Sequence, residues 1–126
     1  MTAFEIPGFS WTLPSDADLS TGAGQFRFVD VNSDSEAIAP TLNGRAVGVR
    51  QNKPQTLEAT AIVSGGISFV EASEAIAAGN NVATVADGRA KVADTTGETI
   101  LGICIVGAAA AGELCSVMVC PNVLEL

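Results

Sequence analysis

The stretch AIAAGNNVATVADGRAKV, Ala75–Val92, decides the fold class of this chain. Apolar and polar residues alternate in NVATVA and again in RAKVA, a period of two that indicates β-strands. Between these segments stands Asp87-Gly88, a dipeptide that favours the tight turn of a β-hairpin. The sequence therefore predicts a hairpin closed by this turn. The predicted cross-strand pairs are Val85 with Ala90, Thr84 with Lys91, and Ala83 with Val92.

Further strands are predicted on both sides of this hairpin. QFRFVDV and RAVGVRQ each read as one short strand. In LEATAIVSGGISFVEA, Gly65-Gly66 can take positive φ at both positions, which predicts a second hairpin with Ile62 opposite Phe69. TILGICIVG and ELCSVMVC are apolar on both faces, which indicates central strands covered on both sides.

The pattern of elements predicts an all-β domain, a small β-barrel or β-sandwich of about eight short strands with frequent glycine turns. The chain has 126 residues, of which 48% are hydrophobic and 16% charged. A chain of this length and composition folds as one domain rather than staying disordered. Because Ala and Val supply most of the apolar content, we expect a closely packed core of small side chains.

The first 24 residues are predicted to form an extended N-terminal arm, followed by a β-rich domain over residues 25–126. The arm is punctuated by Pro and Gly and shows no sustained period, yet it holds the single Trp and two of the five Phe residues. Two interpretations stay open: the arm folds back on its own domain, or it is reserved for a partner surface. The candidate anchors for a partner are Phe4, Ile6, Phe9, Trp11 and Leu13.

The charge pattern disfavours several classes of partner. The net charge is −8, and no Lys or Arg occurs from Met1 to Phe26. Binding to nucleic-acid phosphates is therefore not expected. No run of about 20 apolar residues is present, so a membrane-spanning helix is not expected. The N-terminus lacks the basic head and apolar middle region of a secretory signal, which favours an intracellular product.

No catalytic, cofactor or metal site is predicted. The chain contains neither His nor Tyr, so a Ser or Cys nucleophile would have no imidazole base. Asp30, Asn32 and Asp34 alternate as in a calcium loop, but Ser35 and Thr41 stand where that loop needs Gly and Glu, so a polar turn is expected. The cysteines are odd in number and close to the C-terminus, which favours free buried thiols over disulfides or zinc. They are Cys104, Cys115 and Cys120.

Several segments between Val47 and Val119, in their order along the chain, resemble the bacteriophage capsid cement proteins, the small head-decoration family. The segments are GVRQNKP, AIAAGNNV, the Asp-Gly hairpin, ILGICI and a small-residue loop ending AAGEL. The resemblance implies a β-rich domain without a cofactor that binds the major capsid protein on the outside of an icosahedral phage head. It also implies homotrimers at capsomer junctions. The location implied is the virion exterior, after synthesis in the host cytoplasm.

Two alternatives remain. AAGNNVATVADGRAKV is also similar to the small β-sandwich carrier or binding domains that present a modifiable lysine at a hairpin tip, where Lys91 would be the candidate. The other alternative is a different virion structural component, such as a fibre base or tail part. Except for the carrier domain, these interpretations describe a protein whose function is to bind other proteins rather than to take part in a reaction.

Overall fold

The computed structural model describes residues 1–21 and 24–125, with the backbone alone described from residue 121 onward. Within these residues the chain forms β-strands joined by turns and loops. No helix long and apolar enough to cross a membrane occurs among them. The strands are β1 Ile6–Pro14, β2 Arg27–Val31, β3 Ala37–Ile38, β4 Gly48–Arg50, β5 Ala59–Glu71, β6 Asn81–Thr84, β7 Ala90–Val92, β8 Thr99–Val106 and β9 Leu114–Glu125.

The strands form one antiparallel sheet in the order β3-β2-β4-β5-β9-β8-β6-β7, and β1 pairs separately with β5. The sheet curls until its two ends approach each other. Phe28 N–H donates a hydrogen bond of 2.8 Å to Gly88 O, and Asn43 N–H donates one of 2.8 Å to Thr84 O. The result is a half-barrel, so the all-β prediction and its small-barrel form are confirmed.

The core lies inside this curl and is built mainly from small side chains. Its main cluster combines Val and Ala residues with Phe28 and Leu101, all buried. A second cluster of Val29, Ala37 and Ile62 lies where β2, β3 and β5 meet. Short side chains allow the sheet to curl tightly while its interior remains close-packed. The expected small-residue core is therefore present.

The hairpin at Asp87-Gly88 is present, but its predicted register was wrong by one residue. Val85 N–H donates to Arg89 O at 3.0 Å, and Gly88 N–H donates to Val85 O at 3.0 Å. Gly88 has φ of 90°. This is a three-residue loop with a left-handed glycine, rather than the two-residue turn that the register assumed. The observed pairs are Thr84 with Ala90, Ala83 with Lys91, and Val82 with Val92.

The second predicted hairpin, at Gly65-Gly66, was wrong. Strand β5 runs continuously through both glycines, and their partner is β1, which bulges opposite them. A Cβ atom on Gly66 would clash with Ile6 O and Gly8 N. The two glycines therefore allow the backbone of β1 to approach β5 closely. Close approach of a neighbouring backbone is, besides tight turns, the second structural use of a residue without a side chain.

Strands β8 and β9 are central in the sheet, as predicted, but they are not covered on both faces. Strand β9 lies between β5 and β8, and β8 lies between β9 and β6. Their inner residues, such as Leu101 and Val117, are fully buried. On the outer face Ile103 is 44% exposed and Met118 is 42% exposed. Apolar residues on both faces thus do not mean two covered faces here, and the outer ones are open to solvent.

The acidic segment after β2 forms the polar turn expected from the sequence. Asn32 Oδ1 accepts hydrogen bonds from the N–H groups of Asp34, at 3.0 Å, and Glu36, at 2.9 Å. Asp30 pairs with Arg45 at 3.1 Å. The side chain of Asn32 therefore holds the turn closed, and the neighbouring carboxylate of Asp30 is matched by a guanidinium.

Candidate interaction surface

The N-terminal segment was expected to lack a regular element, and this was wrong. Residues 6–14 form strand β1, which pairs with β5 from Ile6 opposite Ile67 to Pro14 opposite Ala59. The structure therefore has the arm folded back on its own domain, which was the first of the two interpretations left open. Alternation along β1, together with the register shift between Phe9 and Ser10, places its candidate anchors on different sides of the sheet.

Trp11 and Leu13 face inward and contribute to the protein's own core. Both pack against the cluster that contains Ile62. Trp11 Nε1 donates a hydrogen bond of 2.6 Å to Ser64 Oγ, which in turn donates to Val47 O at 2.5 Å. A buried indole N–H usually needs such a partner. These two side chains are thus held by the domain itself.

Hydrogen bonds of Phe4 and Glu5 hold the start of the chain against the sheet. Phe4 N–H donates to Ser116 Oγ at 2.7 Å, and the same hydroxyl donates to Phe4 O at 2.8 Å. The Glu5 carboxylate accepts from Ser68 Oγ and from Phe69 N–H, both at 3.3 Å. The acidic group of Glu5 is therefore turned toward the sheet.

Ile6 is the first residue of an apolar row that crosses four strands on the outer face. Ile6 pairs with Ile67, Ile67 with Met118, and Met118 with Ile103. Residues directly opposite each other in antiparallel strands point to the same face, so these side chains form one contiguous line. We call Ile6, Ile67, Met118 and Ile103 the outer row. Ile6 is 61% exposed, the most open of its members.

Phe9 extends this surface on β1. Its side chain is 62% exposed. A Cβ atom on Gly65, the residue opposite, would lie 3.7 Å from Phe9 Cβ. Since Gly65 stands two residues before Ile67, the aromatic ring lies beside the outer row over a position without a side chain.

Of the predicted anchors, Ile6 and Phe9 therefore lie on one open surface, whereas Trp11 and Leu13 do not. Sequence reasoning missed Ile67, Met118 and Ile103 as members of that surface. For Met118 and Ile103 the available signal was the apolar pattern on both faces of β8 and β9, which was interpreted as double coverage. A strand that is apolar on both faces of a half-barrel is equally consistent with an outer face that meets a partner.

A buried ion pair lies at β7, the last strand in the order of the sheet. Lys91 Nζ, on β7, lies 2.7 Å from Glu98 Oε2 and 2.9 Å from Asn43 Oδ1. The other oxygen, Glu98 Oε1, accepts the N–H groups of Asp94 at 3.0 Å and Thr95 at 2.6 Å. Burial by itself would raise the pKa of Glu98, but these donors together hold that pKa below its usual value.

The thiols divide into two buried groups and one exposed group, as predicted. Cys104 Sγ donates to Val106 O and Cys115 Sγ donates to Val70 O, each at 3.3 Å. Burial raises the pKa of Cys115 to about 12, and the neighbouring Cys104 adds to that rise. Burial also raises the pKa of Cys104. Cys120 is exposed, and all three cysteines are free.

Comparison with known proteins relates the fold to one from a phage particle. The sequence matches no model of a known protein family, and no curated protein matches it. Among solved structures, the chain is similar to the N base of the head fiber protein gp8.5 of bacteriophage phi29, with a TM-score of 0.70 and 20% sequence identity. The match covers 94% of this chain and 98% of that chain. At this identity the likeness establishes a shared fold over nearly the whole of both chains.

Proposed function

We propose that this chain is a structural component of a phage virion, mounted on the head as the base of an appendage. The observation that carries the proposal is the fold shared with a phage head fiber base over nearly the whole of both chains. A contact protein of this kind needs a stiff scaffold and an adhesive surface. The curled sheet supplies the stiff scaffold, and the outer row with Phe9 supplies an uncharged apolar surface for adhesion.

The second candidate function is that of a cement protein that decorates the head and stabilises capsomer junctions. The segments between Val47 and Val119, whose order along the chain resembles that of the cement family, favour this function. Both candidates have the major capsid protein as partner, the exterior of the virion as location, and neither a cofactor nor a catalytic role. In both, the subunits assemble as homotrimers. A cement subunit would stabilise the shell by mass action, because it binds the assembled state alone.

The carrier alternative is disfavoured by the surroundings of Lys91. A lysine that accepts a prosthetic group has to be reached by a modifying enzyme at a hairpin tip. Here the ammonium of Lys91 is held by Glu98 and Asn43, with 19% of the side chain exposed. The tip of the hairpin is formed by Asp87 and Gly88, several residues away.

The test is to locate the chain on purified virions. Mass spectrometry of the particles establishes whether the chain is present, and imaging at subnanometre resolution shows where its half-barrel lies. A fibre base should occupy sites from which a projecting appendage rises. A cement protein should occupy every equivalent capsomer junction, and adding it to undecorated heads should raise their resistance to heat. Absence of the chain from virions, together with no binding to heads, would refute both candidates.

A further inference from the structure

We propose that the outer row is the surface through which copies of this chain contact one another. The inference rests on the proposed trimer and names the face that makes it. The row and Phe9 lie on one side of β1, β5, β9 and β8, which are neighbours in the sheet. The occupant that we propose for this face is a second copy of the chain.

The size of the exposed surface suits the centre of such an interface. The exposed fractions are 61% for Ile6, 62% for Phe9, 42% for Met118 and 44% for Ile103. If a fully exposed side chain of this size presents on the order of 150–200 Å², these residues leave roughly 350 Å² of apolar surface open. A patch of this size falls in the range that is often functional on a monomer. It is somewhat under half of the ~800 Å² per partner in a standard interface, as expected for an apolar centre with a polar rim.

The absence of charge in the outer row makes it the place where two acidic copies can meet. Each copy carries a net charge of −8, so two copies repel unless they meet where charge is absent. Every member of the outer row is uncharged. Glu5, the acidic residue next to Ile6, has its carboxylate turned onto Ser68 and Phe69. The row is therefore a surface on which like-charged copies approach each other with little repulsion.

The row is also held rigid before any partner arrives. Ile67, Met118 and Ile103 stand on strands paired on both sides, and Ile6 is fixed by its pairing with Ile67. Residues ordered in advance lose little conformational entropy on association. A surface of this kind gives a larger net free energy of association than a mobile arm with the same side chains.

The experiment measures the oligomeric state of the full chain by sedimentation from low to high micromolar concentration. The variants are Met118→Glu and Ile6→Glu, which place a carboxylate in the row at two separate strands. The matched control is Leu42→Glu, because Leu42 is 59% exposed but lies outside the row. Circular dichroism and thermal melting verify that each variant is folded. We expect each row variant to raise the dissociation constant of the oligomer at least about tenfold, because a buried unpaired carboxylate is strongly unfavourable. The control should associate as the original chain does.

Binding to undecorated heads is measured on the same samples and separates this inference from the proposed function. A chain that associates through the row but does not bind heads would support the inference and refute the function. A chain that stays monomeric but still binds heads would refute the inference and support the function. If the folded row variants associate like the original chain, the inference is overturned. If they lose head binding without any change in association, the row faces the capsid instead, which also overturns it.

Discussion

The ammonium nitrogen of Lys91 lies 2.7 Å from the Oε2 atom of Glu98 in a nearly closed interior site. Glu98 is 1% exposed and directly precedes β8, whereas Lys91 belongs to β7. The pair therefore ties the last strand of the sheet path to the start of a central strand. Removal of one partner from such a pair leaves a buried charge without compensation.

The substitution Lys91→Met should lower the free energy of unfolding by about 3 kcal/mol, at the lower end of the range for broken buried pairs because Lys91 keeps partial contact with solvent. Urea unfolding followed by circular dichroism measures this. Lys53→Met is the matched control, since Lys53 is exposed, and it should change stability by less than ~0.5 kcal/mol. Equal effects of the two substitutions would contradict a structural role for the pair.

Acid should weaken the fold through Glu98. Its pKa in the folded chain lies below the ordinary value of 4.5, so the folded state favours the ionised form. The resulting stabilisation is fully present above pH 4.5 and is lost as the pH falls through the lower, folded pKa. Thermal melting between pH 7 and pH 3 should show this loss, and Glu98→Gln should show less of it, from a lower starting stability. If Glu98→Gln loses stability with falling pH just as the original chain does, Glu98 is not the cause of the acid sensitivity.

The close approach of β1 to β5 depends on Gly66. Gly66→Ala should destabilise the fold by about 3 kcal/mol or more, because φ is +77° and the new Cβ would meet the backbone of Ile6. Gly79→Ala is the control that separates these two causes. Gly79 has φ of +91° but no atom near its added Cβ, so it should show the backbone strain alone, about 1–2 kcal/mol.

The two aromatic residues of β1 should behave differently. Trp11→Ala should lower the free energy of unfolding by ~2–3 kcal/mol, less than for a fully buried Trp, because the indole is half-buried. Phe9→Ala should leave stability nearly unchanged and weaken association instead. A truncation that starts at Gln25 should behave like a severe form of Trp11→Ala, with a loss of cooperative unfolding. A truncated chain that melts like the full chain would mean that β1 is dispensable for folding.

Native thiol labelling should be limited to Cys120. At pH 8 a maleimide should react quickly with one thiol per chain, and with three after denaturation, since the buried groups are shielded and remain protonated. Replacing Cys120 by Ser should remove the fast phase. A fast phase that persists in this variant would show that β8 and β9 open more readily than their burial indicates.

Local patterns predicted the class of fold but not the partners of each strand. The turn at Asp87-Gly88 was found because its chemistry acts within a few residues. Gly65-Gly66 carries an equally strong turn signal, and only the presence of β1 more than fifty residues earlier in the chain shows that the signal means close approach instead. The outer row could not be predicted for the same reason. Its members come from four strands, so their alignment is fixed by register rather than by spacing along the chain.

The contact between Phe4 and Ser116 joins positions 112 residues apart. Long-range pairings of this kind slow folding, because the loop must close before the contact contributes. During synthesis at about 5–20 residues per second, the N-terminal strand waits several seconds for β5 and longer for β9. Until β5 has been made, Ile6, Phe9 and Trp11 have no cross-strand partner in the nascent chain. Strand β9 thus secures the start of β1, and this fold closes only after β9 has been made.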